Sequence, residues 1–174
     1  MIIPRFRATE LPRSLHGLGK LTSTTCAAQL FWNQTRMPTY QNKIAIVIRA
    51  DLLEWQKLNV AAFLAGSVAV GFPETHGRPF VTASRTEYLP FPKNPMLIYK
   101  AENDQQIRRA FMRAKERGLG IGIYTRPLFA TKGEEENLAE ILKLPDEEQD
   151  LVGIVLYGEN RQVDKAIDGL KLHP

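Results

Sequence analysis

Residues 43–70 read KIAIVIRADLLEWQKLNVAAFLAGSVAV, and this stretch decides the fold. Its first part, residues 43–49, carries the unbroken apolar run Ile44-Ala45-Ile46-Val47-Ile48. Five apolar residues in a row suit a strand covered on both faces, which places it at the centre of a sheet between helices. A short polar corner, Arg49-Ala50-Asp51, follows. A helix is then predicted to run to about Val70. Asp51 is read as its cap, with Glu54 three residues on completing a box-like start. From Leu58 onward the helix positions are almost all apolar or small, so the helix is expected to be buried nearly all round.

The rest of the chain repeats the alternation. Residues 71–94 are rich in glycine and proline and predict a long connection, with a short strand near residues 86–89 and with His76, Arg78 and Arg85 on the surface. Residues 95–100 predict a second strand. A second helix follows, capped by Asn103 or Asp104 and ended at Gly118, with Ile107, Ala110, Phe111 and Ala114 inward. Its basic residues, Arg108, Arg109, Arg113, Lys115 and Arg117, fit either phosphate contacts or a solvated face.

Residues 119–125 predict a third strand. There Gly120 and Gly122 leave one face without side chains, so a helix or a ligand must pack closely against it. This strand ends at a second polar corner, Thr125-Arg126-Pro127. A charged helix over 134–143, a fourth strand over 151–157 and a last helix over 161–169 complete the order. The whole reads as an α/β domain whose first three strands are parallel through right-handed crossovers.

Composition limits the function. The 174 residues are 44% hydrophobic and 24% charged, ordinary values for a globular chain with a real core. No apolar run reaches the ~20 residues that a membrane span needs, so no membrane partner is expected. The net charge of +4 is unevenly placed: residues 1–36 hold five basic residues against Glu10 alone, and the remainder balances 18 basic with 18 acidic residues. Residues 1–42 are therefore read as a basic extension, disordered, organelle-targeting or a start-site artefact, and residues 43–174 as a single domain. The single cysteine, Cys26, allows no intrachain disulfide and suits a reducing, cytoplasmic setting. His16, His76 and His173 are scattered, so no metal site is expected. Neither a dinucleotide-binding nor a phosphate-loop glycine motif occurs, and no cofactor is implied.

Ligands of open α/β sheets bind beyond the carboxyl ends of the strands. If the first and third strands are parallel, one corner offers Arg49, Asp51, Lys57 and Asn59, and the other offers Tyr124, Thr125, Arg126 and Thr131. Lys57 near a helix N-terminus suits a phosphate, a carboxylate or an oxyanion. Asp51 as a helix cap, or as the surface partner of Arg49, is the competing structural reading.

The strand with Arg49-Ala50-Asp51-Leu52, residues 55–64 (WQKLNVAAFL), Glu116-Arg117-Gly118-Leu119, Tyr124-Thr125, Leu128-Phe129-Ala130-Thr131 and Gly169-Leu170-Lys171-Leu172 resemble the uncharacterised domain-of-unknown-function family numbered two thousand. That family is similar in turn to the second type of peptidyl-tRNA hydrolase. The resemblance implies a small mixed four-stranded sheet flanked by helices, with the last strand antiparallel. It also implies an ester hydrolase acting on a tRNA-like substrate, with Lys57 and Asp51 matching its catalytic corner; Thr125, which begins the Thr125-Arg126-Pro127 stretch where the enzyme carries an aspartate, is taken as the third catalytic residue. The chain departs from the enzyme's glycine-spaced lysine motif at Trp55, Gln56 and Leu58, and from its glutamine at Phe63. The first expectation is therefore a domain that binds a small anionic ligand or a protein partner through Arg49, Asn59, Tyr124, Arg126 and Thr131. The hydrolase is the alternative. The apolar first helix and the long connection are compatible with a homodimer.

Overall fold

The computed structural model describes residues 40–174. The expectations for the basic extension fall almost wholly on residues 1–39, outside the described residues. The elements are β1 (Asn42–Arg49), α1 (Glu54–Gly71), a short turn of 3₁₀ helix (Pro73–Thr75), β2 (Phe80–Val81), β3 (Glu87–Tyr88), β4 (Met96–Ala101) and α2 (Asp104–Glu116). They continue with β5 (Gly120–Thr125), a second 3₁₀ turn (Arg126–Ala130), α3 (Glu134–Ile141), β6 (Leu151–Glu159), α4 (Asn160–Ala166) and β7 (Lys171–Leu172).

Burial of the 44–48 run sets the architecture. None of these five residues is more than 1% exposed. Because strand side chains alternate, Ile44, Ile46 and Ile48 pack with Val60, Leu64 and Val68 of α1. Ala45 and Val47 face the other way, into Ile107, Ala110, Phe111 and Ala114 of α2 and Val163 and Ala166 of α4. The sheet is thus the middle of three layers. Its order is β5-β6-β1-β4-β7, with β1 at the centre. β4 is parallel to β1, β6 is antiparallel to both β1 and β5, and β7 is antiparallel to β4. β1, β4 and β5 therefore point the same way, and their carboxyl ends share one edge.

Several expectations are corrected. The sheet has five strands rather than four, because Lys171 and Leu172 pair with Lys100 and Tyr99 along the edge of β4. Residues 40–42 are tied to the domain: Asn160 donates to the carbonyl of Tyr40 from its side chain and to that of Gln41 from its backbone, and Asn42 opens β1. The short strand expected near residues 86–89 is present as β3, and β2, which was not expected, pairs with it in a small hairpin. Asp51 does not cap α1. The cap is Leu53, whose backbone N–H donates to the Gln56 side chain at 3.0 Å. Asp51 is drawn instead into a pair with Arg49, and the chain runs on before the helix begins.

The helix itself is not buried all round. Only Val60, Leu64 and Val68 are buried, while Leu58, Phe63 and Val70 are 67%, 60% and 85% exposed. One layer of helix on a sheet can bury only one stripe, and among the described residues nothing covers the outer face.

The glycine face of β5 is filled by protein: a Cβ on Gly122 would lie 2.9 Å from Ser67 Oγ of α1, and one on Gly120 would enter the Phe72 ring. α1 approaches β6 just as closely, since a Cβ on Gly153 would stand 2.3 Å from Val60 Cγ1 and 3.0 Å from Leu64 Cδ1. Gly153→Ala should therefore force α1 off the sheet and lower stability by about 1–3 kcal/mol, read by urea unfolding. An unchanged midpoint would show that the helix is not held at this distance.

Candidate ligand-binding cleft

The shared edge brings the two polar corners together, because β1 and β5 point the same way. Arg49 leaves β1 and grips Asp51 through two bonds, Nε to Oδ1 at 3.1 Å and Nη2 to Oδ2 at 2.9 Å. Arg126, just beyond β5, donates to the same Asp51 Oδ2 at 3.3 Å and to Asp150 Oδ2 at 3.1 Å. Arg49 also lies 3.7 Å from Asp104, which holds Arg108 at 2.8 Å. Three arginines and three aspartates thus alternate across the ends of β1 and β5, the start of β6 and the first turn of α2. Burial works against the charge on Asp51, but the hydrogen bonds from Arg49 and the charges of Arg49 and Arg126 outweigh it. Its carboxyl is held below the ordinary 3.8. The network is neutral and its members satisfy one another.

Much of the basic face of α2 is spent in the same manner. Arg108 donates to the carbonyls of Glu147 and Gln149, Arg113 to that of Asp168, and Lys115 pairs with Asp146. These bonds favour the solvated-face reading of the helix and fasten α2 to the segments around it.

Beside the corner lies an open cleft of about 750 Å³. One wall is the α1 face formed by Trp55, Asn59, Phe63 and Ser67, which recur every four residues and so fall on one side of the helix. The floor is Gly122, Ile123 and Tyr124 of β5. Leu128 and Phe129 of the second 3₁₀ turn, followed by residues 131–134 and Asn137, make the far wall. Pro127 in the first turn of that 3₁₀ segment turns the chain across the end of β5 and brings Phe129 inward.

The aromatic rings form a chain. Trp55 meets Phe129 edge-on at 5.7 Å, Phe129 lies 5.1 Å from Tyr124, and Tyr124 lies 6.0 Å from Phe63. In the middle, the Tyr124 hydroxyl donates to Asn59 Oδ1 at 2.9 Å. Burial raises the Tyr124 pKa, so the phenol stays a protonated donor and fixes the orientation of the Asn59 amide. Asn59 Nδ2 then has no hydrogen-bond partner among the described residues, and Asn59 lines the cleft. Thr131 is occupied by the Leu128 carbonyl and the Asn137 side chain. Charge on the rim is balanced: Lys132 stands with Glu134, and the Lys132 backbone N–H is already taken by Glu136 at 2.7 Å.

Of the residues singled out in the sequence, Asn59, Tyr124 and Thr131 line this cleft. Arg49, Asp51 and Arg126 form the neighbouring ion-pair network. Thr125 is buried at the end of β5, only 1% exposed. Lys57 is half-buried one step round α1, on the stripe of Val60 and Leu64, outside the cleft lining. Sequence reasoning missed Trp55, Phe63, Phe129, Lys132 and Asn137. The four-residue spacing of Trp55, Asn59, Phe63 and Ser67 was the available signal.

A mixed α/β domain with an aromatic cleft next to the carboxyl edge of its sheet is the class these features define. The chain belongs to the family described as protein of unknown function (DUF2000), whose model matches residues 42–174. It is also similar to a solved structure, the protein of unknown function Atu0240 from Agrobacterium tumefaciens str. C58. The two are 29% identical with a TM-score of 0.74, over 78% of this chain and 100% of that one. A search of the curated proteins finds no match. Among the described residues no helix is long and apolar enough to cross a membrane.

The ion-pair network sets a pH dependence. The folded pKa of Asp51 is depressed, so its contribution is present above the unfolded value and is lost as pH falls through the folded one. Its side chain is 46% exposed, which keeps the effect near that of a surface pair, under ~1 kcal/mol. Asp51→Asn should thus lower stability at pH 7 by up to that amount, and the gap from the parent should close below about pH 3.9. Urea unfolding at pH 7, 5 and 3 reads it, and a gap that widens in acid would reverse the sign.

Proposed function

We propose that this domain binds a small planar molecule in the α1–β5 cleft, with the ligand's flat face against Trp55, Phe63 and Phe129 and a carbonyl-type acceptor on Asn59 Nδ2. The observation that carries the reading is the Tyr124–Asn59 hydrogen bond inside an aromatic wall. It leaves one oriented donor among the aromatic side chains of the cleft, and a few placed polar groups among such side chains are what ligand sites consist of. The balanced rim of Lys132 and Glu134 narrows the ligand from anionic in general to one that is neutral or carries a single charge. Surplus positive charge, which a phosphate-rich ligand would require, is absent from the cleft lining.

Trp55 supplies the readout. Planar heteroaromatic carbonyl compounds should quench its fluorescence and raise the melting temperature. Asn59→Ala should weaken binding about 10-fold or more, the effect of losing one hydrogen bond of ~1.4 kcal/mol. Binding left intact in both Asn59→Ala and Phe63→Ala would rule the cleft out.

A second reading, an ester hydrolase of the peptidyl-tRNA hydrolase type, is supported by the meeting of the two corners through Asp51 and Arg126. It asks Asp51, already held by two arginines, and the buried Thr125 to act with Lys57 on one substrate. Release of the peptide from peptidyl-tRNA, lost in Lys57→Ala, would establish it. Substrate left intact at high protein concentration would dismiss it.

A further inference from the structure

The outer face of α1 is the largest unexplained feature of the molecule. From Leu58 to Gly71 the helix has no charged residue. Leu58, Ala62, Gly66 and Val70 recur every four residues and are all exposed, and Trp55 and Phe63 flank them. A surface helix ordinarily turns charge to water along this side. An apolar strip of this length, in a chain whose described part otherwise keeps its charges on the surface, marks a contact.

We propose that this face is the interface between two copies of the chain, packed α1 against α1 about a two-fold axis. The charge pattern selects the occupant. A second copy presents the same uncharged strip and meets it without conflict, as a two-fold contact requires.

The shape is also self-complementary. The Leu58-Ala62-Gly66-Val70 row is a ridge of the four-residue kind, and two such ridges interlock at an angle of about −50°. Gly66 has no neighbour within 4 Å of an added Cβ, so the middle of the ridge is a notch open to a partner. The extent is adequate as well. Eighteen helical residues span about 27 Å. Exposed Trp55, Leu58, Phe63 and Val70, with the small residues between them, offer roughly 600 Å² per copy, the lower end of a stable interface.

This inference centres on the outer ridge and shares only Trp55 and Phe63, at its margin, with the cleft wall; the ridge positions tested below lie outside the cleft lining. Sedimentation velocity of the full chain tests it. At about 50 μM, a concentration suited to an interface of this size, the protein should sediment as a dimer. Ala62→Arg, which sets like charges against each other across the axis, and Gly66→Leu, which fills the notch, should each weaken association at least 10-fold. Both sites are exposed, so the circular dichroism spectrum and melting of the dilute protein should be retained. A monomer at every concentration overturns the proposal. So does a dimer that both folded variants leave intact, since the interface would then lie elsewhere.

Discussion

Burial of the five-residue run Ile44 to Ile48 on both of its faces is the constraint on which the rest depends. A strand that is apolar on alternate sides cannot stop at one helical layer, so α1 must cover one face and α2 with α4 the other. With β1 fixed at the centre, parallel β4 and antiparallel β6 take its two sides, and β5 falls in beyond β6 with its carboxyl end at the same edge as that of β1. That alignment alone brings the Arg49-Asp51 corner to Arg126, and places Tyr124 opposite Asn59.

Most of this framework was legible in the sequence. The 44–48 run announced a central strand, the glycines of β5 announced a close neighbour, and Asn103 announced the start of α2, where its side chain accepts from the Gln106 N–H. The errors have physical causes. Asp51 looks like a cap, but an arginine two residues earlier competes for its carboxylate more strongly than a helix N–H does. Helix α1 looks like a core helix because apolar content says how much surface avoids water without saying what will cover it. β7 is two residues long and too short to carry a pattern.

The site was half legible. Asn59, Tyr124 and Thr131 sit near strand and helix ends, which is the signal the sequence carries, and they line the cleft. In the sequence Trp55 marks only a departure from the lysine motif of a hydrolase, and Phe63 a departure from its glutamine. In three dimensions those same positions build the aromatic wall of the cleft. Charge tells a consistent story: the arginines at the corner are matched by aspartates, the basic residues of α2 largely hold carbonyls and carboxylates of their own chain, and the cleft rim is balanced. Recognition at the proposed cleft would therefore rest on shape, ring stacking and one oriented amide more than on electrostatic attraction.

The most direct test follows the Asn59 side chain itself. In a proton–nitrogen correlation spectrum recorded while a planar carbonyl ligand is titrated in, the Asn59 Nδ2 pair and the Trp55 indole N–H should shift together, along with the backbone of residues 122–124. The Asp51 and Arg126 amides should stay nearly in place. Shifts centred on Asp51, Arg126 and Lys57, with Asn59 and Trp55 unmoved, would contradict the cleft as the binding site and return the chemistry to the corner.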